Sequence, residues 1–203
     1  MENGTSDLYN LFKERAEAVS TRVIRVSGHE GAAAALTQII REEKVAKIVA
    51  DPTGMVINCV ERMEEESPLK VVRGQAVSDP GNGVSLYFGD LRRHAEDADM
   101  GLSEMFAGVA ETGSLAGDCT SMGNRLVSTL PPVHVALVPA RNIVATPGEA
   151  IKMICAGGRP PGYLSFITGP SRTADIERVL TIGVHGPAKL YVILVDETGG
   201  GSE

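Results

Sequence analysis

The chain has no tryptophan, only four tyrosines and four phenylalanines among 203 residues, and three cysteines. Recognition of single-stranded nucleic acid leans on aromatic faces that stack on bases. An aromatic content of 4% excludes a platform of that kind, and a formal net charge of -7 opposes a phosphate polymer or an anionic membrane surface as partner. Cys59, Cys119 and Cys155 lie far apart, with no C-x-x-C and no Cys/His group at metal spacing, so no zinc or iron–sulfur site is expected within the chain. Scattered single cysteines read as small buried hydrophobes of a cytoplasmic protein. No uninterrupted apolar run approaches the roughly 20 residues of a membrane span, and the first residues, Met-Glu-Asn-Gly-Thr, lack the basic and apolar segments of a secretory leader. The dinucleotide G-x-G-x-x-G, the phosphate-loop G-x-x-x-x-G-K-[ST] and H-E-x-x-H are all missing. The expectation is a chain without cofactor or metal of its own.

What the chain does have is a 43% apolar content, enough for a sizeable core, and a regular alternation of elements. Residues 6–19 carry Leu8, Leu11, Phe12 and Ala16 at helical spacing. Strand signals follow at 22–26, 46–50, 69–72, 100–102, 108–110, 134–138, 163–167 and 190–195. Helical patterns are read at 30–43, 56–66, 91–95, 147–156 and 173–182. Residues 74–90, rich in Gly, Pro, Asp, Asn and Ser, read mostly as loop. Uniformly apolar strands such as Leu190-Tyr191-Val192-Ile193-Leu194-Val195 between helices predict an α/β fold with a mostly parallel sheet flanked by helices. In such folds ligands sit beyond the carboxyl ends of the strands. The turns after Ala110 and Ile167 are read as loops of that kind.

Three groups of residues could carry chemistry. In Gly169-Pro170-Ser171-Arg172-Thr173-Ala174-Asp175 a glycine turn delivers two hydroxyls and a guanidinium to what reads as a helix start. Backbone N–H groups and the helix dipole favour an anion there. Ser171, Thr173 and Asp175 also suit plain helix capping. Arg172 opposes the dipole, so it meets either a ligand carboxylate or phosphate in bidentate fashion or an internal acid such as Glu111. Glu111-Thr112-Gly113 places a carboxylate at a strand end before a turn, suited to nucleophilic or acid–base work or to an ion pair with Arg125 or Arg172. In the third group, Asn124-Arg125 precede Pro131-Pro132-Val133-His134. His134 is either a base near neutral pH or a hydrogen-bonded core group, and His185 stands in a Gly/Pro-bounded turn where a proton would favour a helix end. His29 and His94 are assigned nothing.

Taken in order, Glu111-Thr112-Gly113, Asn124-Arg125-Leu126-Val127-Ser128, Leu130-Pro131-Pro132-Val133-His134, Gly169 through Glu177 and Gly183-Val184-His185-Gly186-Pro187 resemble the LUD domain of the lactate-utilization protein C (LutC/YkgG) family, densely over residues 98–196. The resemblance implies a fold similar to the NagB/RpiA/CoA-transferase group. It also implies a cytoplasmic, non-redox subunit of L-lactate oxidation to pyruvate that acts with iron–sulfur lactate-utilization proteins and binds a small anionic metabolite. Thr112, Gly113, Asn124, Arg125, His134, Ser171, Arg172, Thr173, Asp175 and His185 would form the ligand site. CoA transferases of that fold group carry a catalytic glutamate in a motif like S-E-N-G-x-x-G. Here Glu111 and Gly113 match, while Ala110 and Thr112 depart from it and the last glycine is displaced by one. Two rival readings follow: a free-standing CoA-transferase-like or sugar-phosphate-type enzyme using Glu111, and a metabolite-binding regulatory module. The expected organisation is a helical extension over 1–20, a LUD domain over 21–197 and a disordered tail over 198–203.

Overall fold

The computed structural model describes residues 2–75, 83–156, 160–170, 172–174, 180–182 and 186–196; side chains are described from residue 7 onward, and not for 172–174 or 180–182. Seven parallel strands form the main sheet, in the order β1-β13-β8-β5-β2-β4-β3. They are β1 (Thr21–Ser27), β2 (Lys47–Ala50), β3 (Lys70–Arg73), β4 (Gly83–Tyr87), β5 (Met100–Glu104), β8 (Val133–Pro139) and β13 (Lys189–Asp196). Strands β8 and β13, buried on both faces at the centre, are almost wholly apolar, as a covered parallel sheet requires.

One face packs on α2 (Gly28–Glu42) and α3 (Gly54–Glu66), whose Ala32, Leu36, Ile39, Val56, Val60 and Met63 meet Ile48, Leu102, Val135, Leu137 and Ile193 of the strands. The other face packs on α1 (Glu2–Ala18), on α5 (Met122–Thr129) and on a second, four-stranded sheet. That sheet comprises β6 (Ala107–Val109), β7 (Ser114–Asp118), β9 (Ile143–Val144) and β10 (Leu164–Ile167), in the order β10-β7-β6-β9. Its outer side is covered by α6 (Pro147–Cys155), started by Thr146, whose hydroxyl accepts from the Glu149 N–H at 3.3 Å while the Glu149 carboxylate accepts from Ala145 N–H at 3.0 Å. The short α4 (Leu91–His94) stacks His94 on Tyr87.

The mostly parallel α/β sheet stands as expected, and four local expectations change. Residues 83–87, expected as loop, are a fully buried strand, β4, between β2 and β3. The turns after Ala110 and Ile167 do not close strands of the parallel sheet, because β6 and β10 belong to the second sheet. Within 173–182, expected as one helix, the described residues instead belong to β11 (Arg172–Ala174) and β12 (Leu180–Ile182), paired antiparallel. Residues 175–179 of that stretch, and the tail over 198–203, lie outside the described residues. The helix expected as an N-terminal extension packs into the core, with Phe12 and Ala16 fully buried against Val23, Ala136, Val192 and Leu115.

Candidate functional site

The structure divides the sequence-derived candidates between two ends of the sheet. At the amino end, the turn Glu111-Thr112-Gly113 between β6 and β7 meets the turn after β10. Ser114, itself buried, donates to Thr112 Oγ1 at 2.8 Å and lies 2.7 Å from Thr168 Oγ1. Both turns rest on the end of α1. Gly113, at φ +65°, leaves no room for a side chain, since a Cβ there would lie 2.3 Å from Ala16 N. Glu111 is exposed and its backbone N–H donates to the Ala145 carbonyl. An open cleft of about 570 Å³ runs beside these turns, lined by Val19, Ser128, Thr129, Ser165, Thr168 and Gly169 among others. Gly186 and Pro187, which lead into β13, close its far side. The described part of this wall ends at Pro170, two residues before Arg172 in sequence. Ser171, Asp175 and His185 lie outside the described residues; Arg172 and Thr173 are described only as backbone of β11. Arg172 and Thr173 are strand rather than a helix start, so no helix dipole acts on an anion there.

His134 is the second residue of β8 and fully buried. Its Nε2 lies 2.8 Å from Ser103 Oγ, and its Nδ1 has no partner among the described residues. Burial pushes its pKa down to about 4, so it is a neutral core imidazole at physiological pH and the base reading gives way to the structural one.

Asn124 and Arg125 sit on α5, started by the Ser121 hydroxyl accepting from Gly123 N–H. The helix comes close to the sheet because Gly101 has no side chain; a Cβ there would lie 1.9 Å from Val127 O. Arg125 Nη1 donates to the Cys119 carbonyl at 2.7 Å, and its guanidinium lies over Tyr163. It therefore does not pair with Glu111. Asn124 reaches the carboxyl end of the sheet. Its Nδ2 donates to Asp51 Oδ2 at 3.2 Å, and its Oδ1 accepts from the Cys119 thiol at 3.4 Å. Ser165 directs its hydroxyl at that sulfur, whose pKa burial raises. Asp51 directly follows β2 and Glu104 ends β5, neighbouring strands whose continuations pass to opposite faces of the sheet. That is the topological switch point where open α/β sheets place ligands. Burial raises the Asp51 pKa, and the Glu104 charge adds to it against the Asn124 hydrogen bond. The Glu104 carboxylate accepts from Met55 N–H at the start of α3, at 3.2 Å. Sequence reading missed both acids. The signal available was their position, Asp51 just after one apolar strand and Glu104 at the end of another.

A three-layer α/β body with a second sheet and a cleft under the amino ends of its strands defines the class. The LUD-domain family model matches residues 9–195, and the chain belongs to that family. A protein named lactate utilization protein C from Shouchella clausii is 39% identical over 106 residues, which cover 51% of this chain and 46% of that protein. One of the same name from Bacillus subtilis is 37% identical over 109 residues, covering 52% and 45%. The matches thus span about half the length of these curated relatives. A crystal structure of a DUF162 family protein from Deinococcus radiodurans superposes with a TM-score of 0.59 at 19% identity, over 94% of this chain and 98% of that one; this shows a shared fold. Among the described residues no three His, Cys, Asp or Glu side chains gather as a metal site, and no helix is long and apolar enough to cross a membrane.

Proposed function

We propose that this chain serves L-lactate utilization as a cytoplasmic, non-redox subunit, acting with iron–sulfur lactate-utilization proteins in the oxidation of lactate to pyruvate. The observation that carries the reading is the LUD-domain match over residues 9–195 together with relatives named for lactate utilization. The amino-end cleft is the proposed seat of a small carboxylate. Thr168 and Gly169 line one wall, backed by Ser114 and Thr112, and Ser171, Arg172 and Thr173 follow that turn in sequence. The convergence of the 111–114 and 168–170 turns on one hydroxyl group supports the placement.

The test is genetic and biochemical. Deleting the coding sequence should abolish growth on L-lactate, and restoring it should rescue growth. Arg172→Ala should weaken carboxylate binding by roughly 10- to 150-fold, the loss expected for one charge-assisted hydrogen bond. Undiminished growth on lactate after deletion would exclude the reading.

A further inference from the structure

Among the described residues that line the amino-end cleft, the Ser128 and Thr129 hydroxyls already give their protons to backbone carbonyls. Ser128 Oγ donates to the Asn124 carbonyl at 2.8 Å, and Thr129 Oγ1 donates to the Arg125 carbonyl at 2.5 Å, both within α5. Ser165 is turned to the Cys119 sulfur. That direction is fixed from the far end. Asn124 presents its amide N–H₂ to Asp51 Oδ2 and its carbonyl oxygen to Cys119. The thiol then donates to Asn124, and the sulfur is left to accept from Ser165.

Thr168 follows by the same count. Ser114 has one proton and gives it to Thr112. The 2.7 Å contact between Ser114 and Thr168 therefore uses the Thr168 proton. Thr168, an exposed residue of the cleft lining, thus has lone pairs and no free proton to offer a ligand.

We infer that the cleft selects a ligand hydroxyl over a ligand carbonyl, with Thr168 Oγ1 as a hydrogen-bond acceptor for the hydroxyl of a 2-hydroxy acid. A 2-oxo acid brings an acceptor to an acceptor wall and gains no bond there. The inference rests on the lactate reading for its ligand, and the wall chemistry extends to any hydroxy/oxo acid pair. Thr168 is exposed, so water competes and the selectivity is modest. Ser114, buried behind it, is a positioning residue that fixes the proton direction without touching the ligand.

Calorimetric titration of the purified chain with L-lactate and pyruvate, and with L-malate and oxaloacetate, tests this. The wild type should bind the hydroxy acid of a pair about 3- to 10-fold more tightly, the range set by one neutral hydrogen bond. Thr168→Val should weaken the hydroxy acid by that factor and leave the oxo acid unchanged. Ser114→Ala frees the Thr168 proton to point into the cleft. It should bring the ratio toward one by improving the oxo acid, a gain that mere loss of structure cannot produce. Thermal unfolding of both variants checks that they are folded; Thr168→Val, at an exposed site, decides the matter if Ser114→Ala is unstable. Equal binding of both acids by the wild type, binding of neither, or a ratio unmoved by Thr168→Val overturns the inference. A preference seen only for malate over oxaloacetate supports the acceptor wall and removes lactate as its ligand. A requirement for the chain in growth on lactate, without any hydroxy preference, removes the wall and leaves the function.

Discussion

Two titrating residues carry opposite consequences for stability. His134 is held near a pKa of about 4 by burial, against about 6.5 in an unfolded chain. Below the unfolded value the unfolded state takes up a proton that the folded state refuses, so stability is full above that value and falls as pH drops toward 4. The expected loss is about 3 kcal/mol over that window. Urea unfolding of the wild type and His134→Gln between pH 7.5 and 4.5 should show the wild type losing more of its stability. Parallel curves would mean that the imidazole is not desolvated as described. Asp51 runs the other way. Its raised pKa means that the carboxylate is disfavoured in the fold, so stability declines as pH rises through the folded value. Asp51→Asn keeps an oxygen for the Asn124 amide and removes the charge. It should melt at or above the wild-type temperature at pH 7.5, with the gap closing in acid. A lower melting temperature would make Asp51 a structural tie between β2 and α5.

At the scale of elements, the glycine of the Glu-Thr-Gly turn illustrates what sequence could and could not tell. Gly113 was a ligand candidate on its motif alone; in the structure its positive φ and the α1 backbone 2.3 Å from where a Cβ would stand account for it by packing. Gly113→Ala should lower stability by about 2–4 kcal/mol, combining the left-handed backbone penalty with overpacking. That corresponds to a fall in melting temperature of roughly 5–15 °C for a domain of this size, and an unchanged melting temperature would show that α1 yields. Apolar runs made the central strands β8 and β13 and helices α2 and α3 legible in advance, because their periodicity reflects the core directly. Strand β4 was hidden because Gly83 and Ser85 lower its apolar signal next to a run of turn residues. Helix α5 was hidden because Gly123, Ser128 and Thr129 are weak helix formers, and its place is fixed by a gap at Gly101, on a distant strand. The β11–β12 pairing is local, with partners no more than ten residues apart, and it replaces the helix read over 173–182. For the site, the convergence of the 111–114 and 168–170 turns was foreshadowed by motif order, whereas the Asp51–Asn124–Cys119 chain joins residues up to 73 apart and has no local signature.

At the scale of the whole molecule, the question is where the electrons of lactate oxidation would go. Converting a hydroxyl to a carbonyl releases two electrons and two protons, so the proposed role needs an acceptor. Two of the three thiols are poor material for one, and the half-buried Cys155 belongs to no metal-holding group among the described residues. Cys59 is fully buried with its pKa pushed up to about 12, and Cys119 is buried with a raised pKa and a hydrogen bond to Asn124. Thiolates are what ligate iron and exchange with disulfides, and burial withholds them here. The expected outcome is that the chain, purified with or without air, contains no stoichiometric iron, acid-labile sulfide or flavin, and that it reduces no dye when given L-lactate alone. Mixed with the iron–sulfur partners that the proposed role requires, it should restore lactate-dependent dye reduction, and leaving it out should abolish that rate. An iron–sulfur pair that oxidises lactate equally fast without this chain would remove the subunit role. Dye reduction by the lone chain would instead place a redox group in it.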